Sequence, residues 1–315
     1  MHETSTFAGK RIMGLFALCV LIAIAVLSAL PQSAFAERVI KGNDVYITPD
    51  EGEDWTYVKL APIPKGTKAD PAVINIAPGN YVVPRTEMQN YTTINAVGAH
   101  FMSSSSGGFF YGGQRYPKKK GYTHLTNVTI NGGEYICDKG NSKGSIIKFT
   151  HAKNINLTNF AMRNCYGTHF IELVGVKNAK LTNLDITGVY ALKDKTNEAI
   201  QLDTPLNERV APKCKPFDGS PCKNIQITNC SIIVPKMPIG IGTNSACKKR
   251  STKIAITNCK IAARYNTVNL PETKSCTVKN NVFYKSKMSK TKSAKKLKAS
   301  KNKFYKKIPS TLAAA

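Results

Sequence analysis

The sequence is poor in acid. Its 315 residues hold 19 Asp and Glu against 45 Lys and Arg, a formal charge of +26 at pH 7. The deficit is uneven: from Lys274 to the end there are thirteen lysines and no acidic residue. A surface of that kind attracts polyanions such as acidic polysaccharides, wall polymers, anionic membranes or nucleic acid; a solvated, solubilising tail is the plainer alternative. The lysines have no interleaved aromatics, so the stacking platform for single-stranded nucleic acid is missing, and nucleic acid is not expected as a partner. No C-x-x-C pair occurs among the nine cysteines, which argues against a zinc site. No repeat unit carries the 3.6-residue apolar period of a helix, which excludes helical leucine-rich repeats.

The N-terminus reads as an export signal. Lys10 and Arg11 precede an apolar run from Ile12 to Leu30, Pro31 breaks it, and Ala34-Phe35-Ala36 offers a small-x-small cleavage site. The run is nearly long enough to serve as a membrane anchor instead. Either way the rest is expected outside the cytoplasm, secreted or at the cell surface. Residues 1–36 are assigned to the signal and 37–69 to a segment without repeat register. Residues 70–286 form the main domain, and 287–315 a lysine-rich coil or tail.

What is abundant is repetition. Asn154-Ile155-Asn156-Leu157-Thr158-Asn159 returns as the phrases ending at Asn183, Asn229 and Asn258, with weaker copies ending at Asn280 and Asn302. The closing asparagines lie 24, 46, 29, 22 and 22 residues apart, solenoid-turn lengths apart from the 46. Each phrase alternates apolar with polar residues, the mark of a strand with one buried face. A second short strand follows in most turns: Ile171-Glu172-Leu173, Ile200-Gln201-Leu202, Ile239-Gly240-Ile241 and Val268-Asn269-Leu270. Stacked turns about 4.8 Å apart bury such faces against one another. The recurring Asn is expected to bond its equivalents above and below, satisfying groups at a buried bend.

On these residues the chain resembles the pectate-lyase-like right-handed parallel β-helix superfamily. Ile74-Asn75-Ile76-Ala77-Pro78-Gly79-Asn80-Tyr81 and Thr93-Ile94-Asn95-Ala96-Val97-Gly98-Ala99 resemble the N-terminal cap strands of that group, and Val128–Gly133 its first full coil. The resemblance covers roughly residues 70 to 285 and implies an all-β, right-handed parallel β-helix with an N-terminal cap. Its functional content is thin. The paired Asp and Gly-His-Gly segments of polygalacturonases are absent, as is the Arg and Asp pattern of pectate lyases, and a fold does not carry a function.

The repeat register bears on the cysteines. Cys230 and Cys259 each follow a ladder Asn, Cys247 and Cys276 each lie 18 residues after one, Cys137 and Cys165 are nearly in register, and Cys214 and Cys222 flank one loop. Equivalent positions in adjacent coils fall within disulfide range, so four bridges are plausible in an oxidising compartment. A stack of buried thiols acting as small apolar side chains is the alternative.

In the resembled fold the ligand groove runs along the strand that here contains Glu172 and Gln201. With Ile171, Leu173, Ile200 and Leu202 inward, Lys148, Glu172, Gln201, Gly240 and Asn269 form one outward column, and Thr150, Val174, Asp203, Gly242 and Pro271 a neighbouring one. Glu172 and Asp203 then stand roughly 8 Å apart, a separation that suits two carboxylates sharing acid and base roles, or bracketing Ca²⁺. Lys148 can act as base or hold an anionic sugar; His169 and Glu198 can pair at the groove edge. Each has a bland rival, a surface ion pair or a satisfied turn carbonyl. Insertions at Gly188–Asn197 and Thr204–Pro221 flank the Glu198–Asp203 strand and can wall a groove, with Tyr190, Phe217 and Asp218 as sugar contacts.

These observations lead to two expectations. One is a carbohydrate-active protein, a polysaccharide lyase or glycoside hydrolase, acting on an acidic or wall-associated glycan, with no certain cofactor. The other is a non-catalytic surface protein that binds glycans or polyanionic wall polymers. A monomer is expected in either case.

Overall fold

The computed structural model describes residues 36–104, 108–114, 120–137, 144–189, 197–243, 251–271, 273–289 and 296–313. These residues form a parallel β-helix of three sheets with eleven, ten and seven strands among the described residues. Each full coil contributes one strand to each. In the coil from residue 152 the order is Ala152–Thr158 in the eleven-stranded sheet, Ala161–Cys165 in the ten-stranded sheet and Ile171–Val174 in the seven-stranded sheet. We call these the amide sheet, the ion-pair sheet and the cleft sheet.

The repeat phrase is the amide-sheet strand. Its apolar positions stack in register: Val128, Ile155, Ala179, Ile225, Ile254 and Cys276 form one inward column, all buried. Asparagine recurs because the chain turns through left-handed backbone at both ends of this strand. Asn154, Asn178 and Asn224 have φ of 57°, and Asn159, Asn183, Asn229, Asn258 and Asn280 lie between 55° and 58°. Asn enters this region more readily than other residues with a side chain. The expected amide chain exists at Asn131–Asn159–Asn183, each link 2.9 Å. A second, unforeseen chain runs Asn127–Asn154–Asn178–Asn224 with links of 2.9, 3.1 and 3.0 Å. These amides lie at the surface rather than at a buried bend.

The core runs the length of the solenoid. Near the start it is aromatic: Tyr81, Phe101 and Tyr135 stack from coil to coil, with centroids 5.7 and 5.0 Å apart. The segment without repeat register closes this end. Glu37–Lys41 and Asp44–Thr48 form the antiparallel hairpin that begins the amide sheet, and Val58, Leu60 and Ile63 are buried beside it. The Ile74–Tyr81 and Thr93–Ala99 stretches, expected to be the cap, belong to parallel coils above that hairpin. The lysine-rich end carries another coil, with Leu297–Ser300 and Lys303–Tyr305 paired on their predecessors.

No disulfide is formed among the described cysteines. Cys137, Cys165, Cys214, Cys222, Cys230, Cys259 and Cys276 are all buried thiols, and the reason in each case is local. Cys214 lies outside the coil with Sγ toward the Pro212 carbonyl, whereas Cys222 points inward to the carbonyls of Leu173 and Asp203. Ile136 pairs with Arg163, and Cys137 and Cys165 follow on adjacent coils, with the left-handed Asn164 as an extra residue before Cys165. Cys276 takes the apolar place opposite Ile254, and Cys247 lies outside the described residues. Cys230 and Cys259 do stack, but each thiol donates to bend carbonyls, of Thr228 and Thr257 respectively.

Candidate functional site: a basic cleft on the cleft sheet

Strand pairing builds the floor of the site. Tyr111, Lys148, Glu172, Gln201, Gly242 and Asn269 form one column across six coils. The expected column held Gly240 in place of Gly242. Gly240 instead packs closely on its neighbours, since a Cβ there would lie 2.5 Å from the Thr267 carbonyl and 2.7 Å from the Ile261 side chain. Above Lys148 and Glu172 opens a cleft of about 410 Å³; among the described residues Arg85, Lys148, Arg209 and Lys213 are its cations and Glu172 its one lining carboxylate.

Glu172 is fully engaged. Lys148 Nζ lies 2.8 Å from one carboxylate oxygen, and Ser145 Oγ donates to the other at 2.5 Å. Ser145 is itself 3.2 Å from Thr168 Oγ1. Burial would push the Glu172 carboxyl up, but Lys148, His169 and the Ser145 hydroxyl together hold it below the ordinary carboxylate value. Burial would likewise lower Lys148, yet Glu172 keeps it above the usual lysine value. A lysine held charged in this way positions an anion rather than accepting a proton. Arg85 completes the cleft with its guanidinium 4.3 Å over the Tyr111 ring.

The long loop after Asp203 covers the neighbouring column. Val174 clusters with Ala211 and Cys214 of that loop, and Thr150, Val174 and Asp203 are completely buried. Asp203 therefore does not face the cleft with Glu172, and the expected two-carboxylate arrangement is not formed. Nor do these residues suit calcium: the Glu172 oxygens are taken by Lys148 and Ser145, and Asp203 lies under the loop. Among the described residues no three His, Cys, Asp or Glu side chains group as a metal site. His169 lines the cleft, and its Nδ1 donates to the Glu198 backbone carbonyl at 2.8 Å, with the Glu198 carboxylate 3.7 Å away. Gln201 lines the floor; Asn269 continues the column outside the cleft lining.

The loop is pinned from below. Asp218 accepts from the Gly121 amide at 2.6 Å and from the Ser220 amide and hydroxyl at 2.9 Å each, so its carboxylate serves the loop's anchorage. Tyr122 donates to the Pro221 carbonyl at 2.7 Å, and His151 places Nε2 3.0 Å from the Cys214 carbonyl. Phe217 is half-buried on the loop and outside the cleft lining. Tyr190 lies outside the described residues. Sequence reasoning missed Arg85, Ser145, Arg209 and Lys213. Arg209 sits on an insertion already singled out, whereas Arg85 comes from a coil that carries no repeat phrase.

The molecule is thus a parallel β-helix with a basic cleft on one sheet. Its fold is similar to that of PfbA, a surface adhesin of Streptococcus pneumoniae. One PfbA structure aligns with a TM-score of 0.55 and 18% identity, over 67% of this chain and 55% of that one. A second gives 0.51 and 17%, over 74% and 59%. The chain therefore spans less than two thirds of the length of these neighbours. At such identities the likeness establishes the parallel β-helix and not a superfamily within it. No family model matches the sequence, and no curated protein does.

Proposed function

We propose that this protein is an exported, surface-associated β-helix that binds an acidic polysaccharide in the basic cleft without cleaving it. The observation that carries the reading is the charge balance of the cleft's described lining: Arg85, Lys148, Arg209 and Lys213 against Glu172, which is already paired. Uronate or sulfate groups would meet Arg209 and Lys213, while Gln201 and Thr168 offer hydrogen bonds to hydroxyls. Hydrolysis by two carboxylates lacks its second member in the cleft, and a lyase base is not supplied by a lysine held protonated. The fold's likeness to a pneumococcal surface adhesin accords with a binding role.

The test uses trigalacturonate, a neutral trisaccharide and the full chain. Trigalacturonate should bind, weaken with salt and lose about tenfold in affinity in Arg209→Gln/Lys213→Gln, as expected for charge-assisted contacts. Appearance of unsaturated products or new reducing ends on a panel of acidic glycans would overturn the non-catalytic reading. Equal binding of the neutral sugar would overturn the acidic one.

A further inference from the structure

The amide sheet has a surface unlike the other two. Seven successive strands, from Leu125–Asn131 to Leu297–Ser300, contain eight lysines and no Asp or Glu. The ion-pair sheet, by contrast, neutralises itself: His100, Arg163, Glu134 and Asp185 interlock there at 2.8–2.9 Å. On the amide sheet Lys153, Lys177 and Lys223 stack directly in consecutive coils. Like charges carried on strands about 4.8 Å apart repel one another, an arrangement that an added polyanion relieves. No ion pair among the described residues engages Lys153, Lys177, Lys180 or Lys223.

This face is grooved. Two depressions, of about 300 and 510 Å³, share Asn224 and Gln226 and so join into one trough along the solenoid axis. The left-handed Asn154, Asn178 and Asn224 line the first, together with Asn156, Lys180 and Gln226; Lys253, Lys296 and Lys298 line the second. From Ala152–Thr158 to Leu297–Ser300 the trough crosses six strands, a run of about 24 Å.

We infer that this trough is a second binding site, independent of the cleft, for an extended acidic polysaccharide laid along the helix axis. The chemistry repeats with the coil: amides for sugar hydroxyls and ammonium groups for carboxylates or sulfates, at a rise close to the length of one sugar in an extended chain. The seven strands contain no Phe, Tyr or Trp. Bases of a single-stranded nucleic acid therefore find nothing to stack on, and no apolar wedge enters a membrane. A glycan needs neither.

The experiment compares long polygalacturonate with trigalacturonate on the full chain, using Lys180→Gln/Lys253→Gln/Lys298→Gln, three lysines that line the trough. Long-chain affinity should fall about tenfold and depend less steeply on salt, because fewer counterions are released. Trigalacturonate binding should stay unchanged. Arg209→Gln/Lys213→Gln should do the reverse, so that loss of the cleft and loss of the trough are told apart. Gln226→Ala, at an exposed position and with charge intact, should weaken the long chain several-fold. Unchanged long-chain affinity and salt slope in the triple variant would overturn the site. So would an unaffected Gln226→Ala beside a weakened triple variant, since that reduces the face to diffuse charge. Binding of poly(dT) as tight as polygalacturonate would overturn the choice of ligand.

Discussion

Glu198 occupies the space that a side chain at Gly242 would need: a Cβ there would stand 2.5 Å from Glu198 Cγ and 3.0 Å from its Oε1. The absence of a side chain one coil above Gln201 thus lets Glu198 fold back over the floor column, where it lies beside His169. Both residues are buried to within a few per cent of their surface. Gly242→Ala must displace that carboxylate or shift the strand, and overpacking of this kind costs about 1–3 kcal/mol. Urea unfolding of Gly242→Ala checks the cost. A midpoint equal to that of the parent would show that Glu198 has another place to go.

The Lys148–Glu172 pair makes a sharper demand. Their side chains are only 12% and 6% exposed, so removing one partner leaves a buried charge. Glu172→Gln should destabilise the fold by about 3–5 kcal/mol, while replacing both residues by Met should cost much less. The pH dependence follows from the directions of the shifts. Glu172 is held below its unfolded value, so its contribution is complete above the ordinary carboxylate range and is lost as pH falls through its folded value. Lys148 is held above its unfolded value, so its contribution is complete below the ordinary lysine range and fades only above it. Stability measured from neutral pH downward should therefore fall more steeply in the parent than in Glu172→Gln. Parallel curves would separate the pair from the acid limb.

The amide sheet was legible because its phrase recurs with both the strand alternation and the left-handed ends intact, so register could be counted from Asn154 to Asn280. That counting also put Lys148, Glu172 and Gln201 in one column, as the pairing has them. It failed where the chain leaves the repeat. Ile239 pairs with Glu198 rather than Ile200, and that two-residue shift puts Gly242, not Gly240, beside Gln201. The loop after Asp203 had been read as a wall, and its burial of Asp203 depends on Ala211 and Cys214 packing on Val174. Register also brings cysteines near one another without saying where each thiol points, and at Cys214 and Cys222 they point to opposite sides of the same strand.

The left-handed asparagines give a graded prediction. Asn178 holds φ 57°, donates to Asn154 and accepts from Asn224. Asn178→Ala loses both links and forces an alanine into left-handed backbone, for a total of about 2 kcal/mol. Asn178→Gly relieves the backbone and loses only the exposed amide bonds, so about 1 kcal/mol is expected. Thermal unfolding should therefore rank parent, Gly and Ala in that order. An alanine variant as stable as the glycine variant would mean that the amide chain, not the backbone, selects Asn.

Buried thiols should be chemically silent until the fold opens. Burial pushes Cys165, Cys214 and Cys276 up to about 12, with Cys137 adding to the effect at Cys165. Alkylation proceeds through the thiolate, so at pH 8 almost none of these groups is in the reactive form, and the packed coils deny access as well. Iodoacetamide applied to the native protein should leave all three unmodified on peptide mapping, and urea should expose them together. Cys214 is the informative member. It belongs to the loop that roofs Asp203 rather than to the coil interior, so it reports on that loop alone. If Cys214 labels under native conditions while Cys165 and Cys276 stay protected, the loop lifts without unfolding of the helix, and the cover over Asp203 is transient. If all three label at one slow rate, the loop and the solenoid open as a unit.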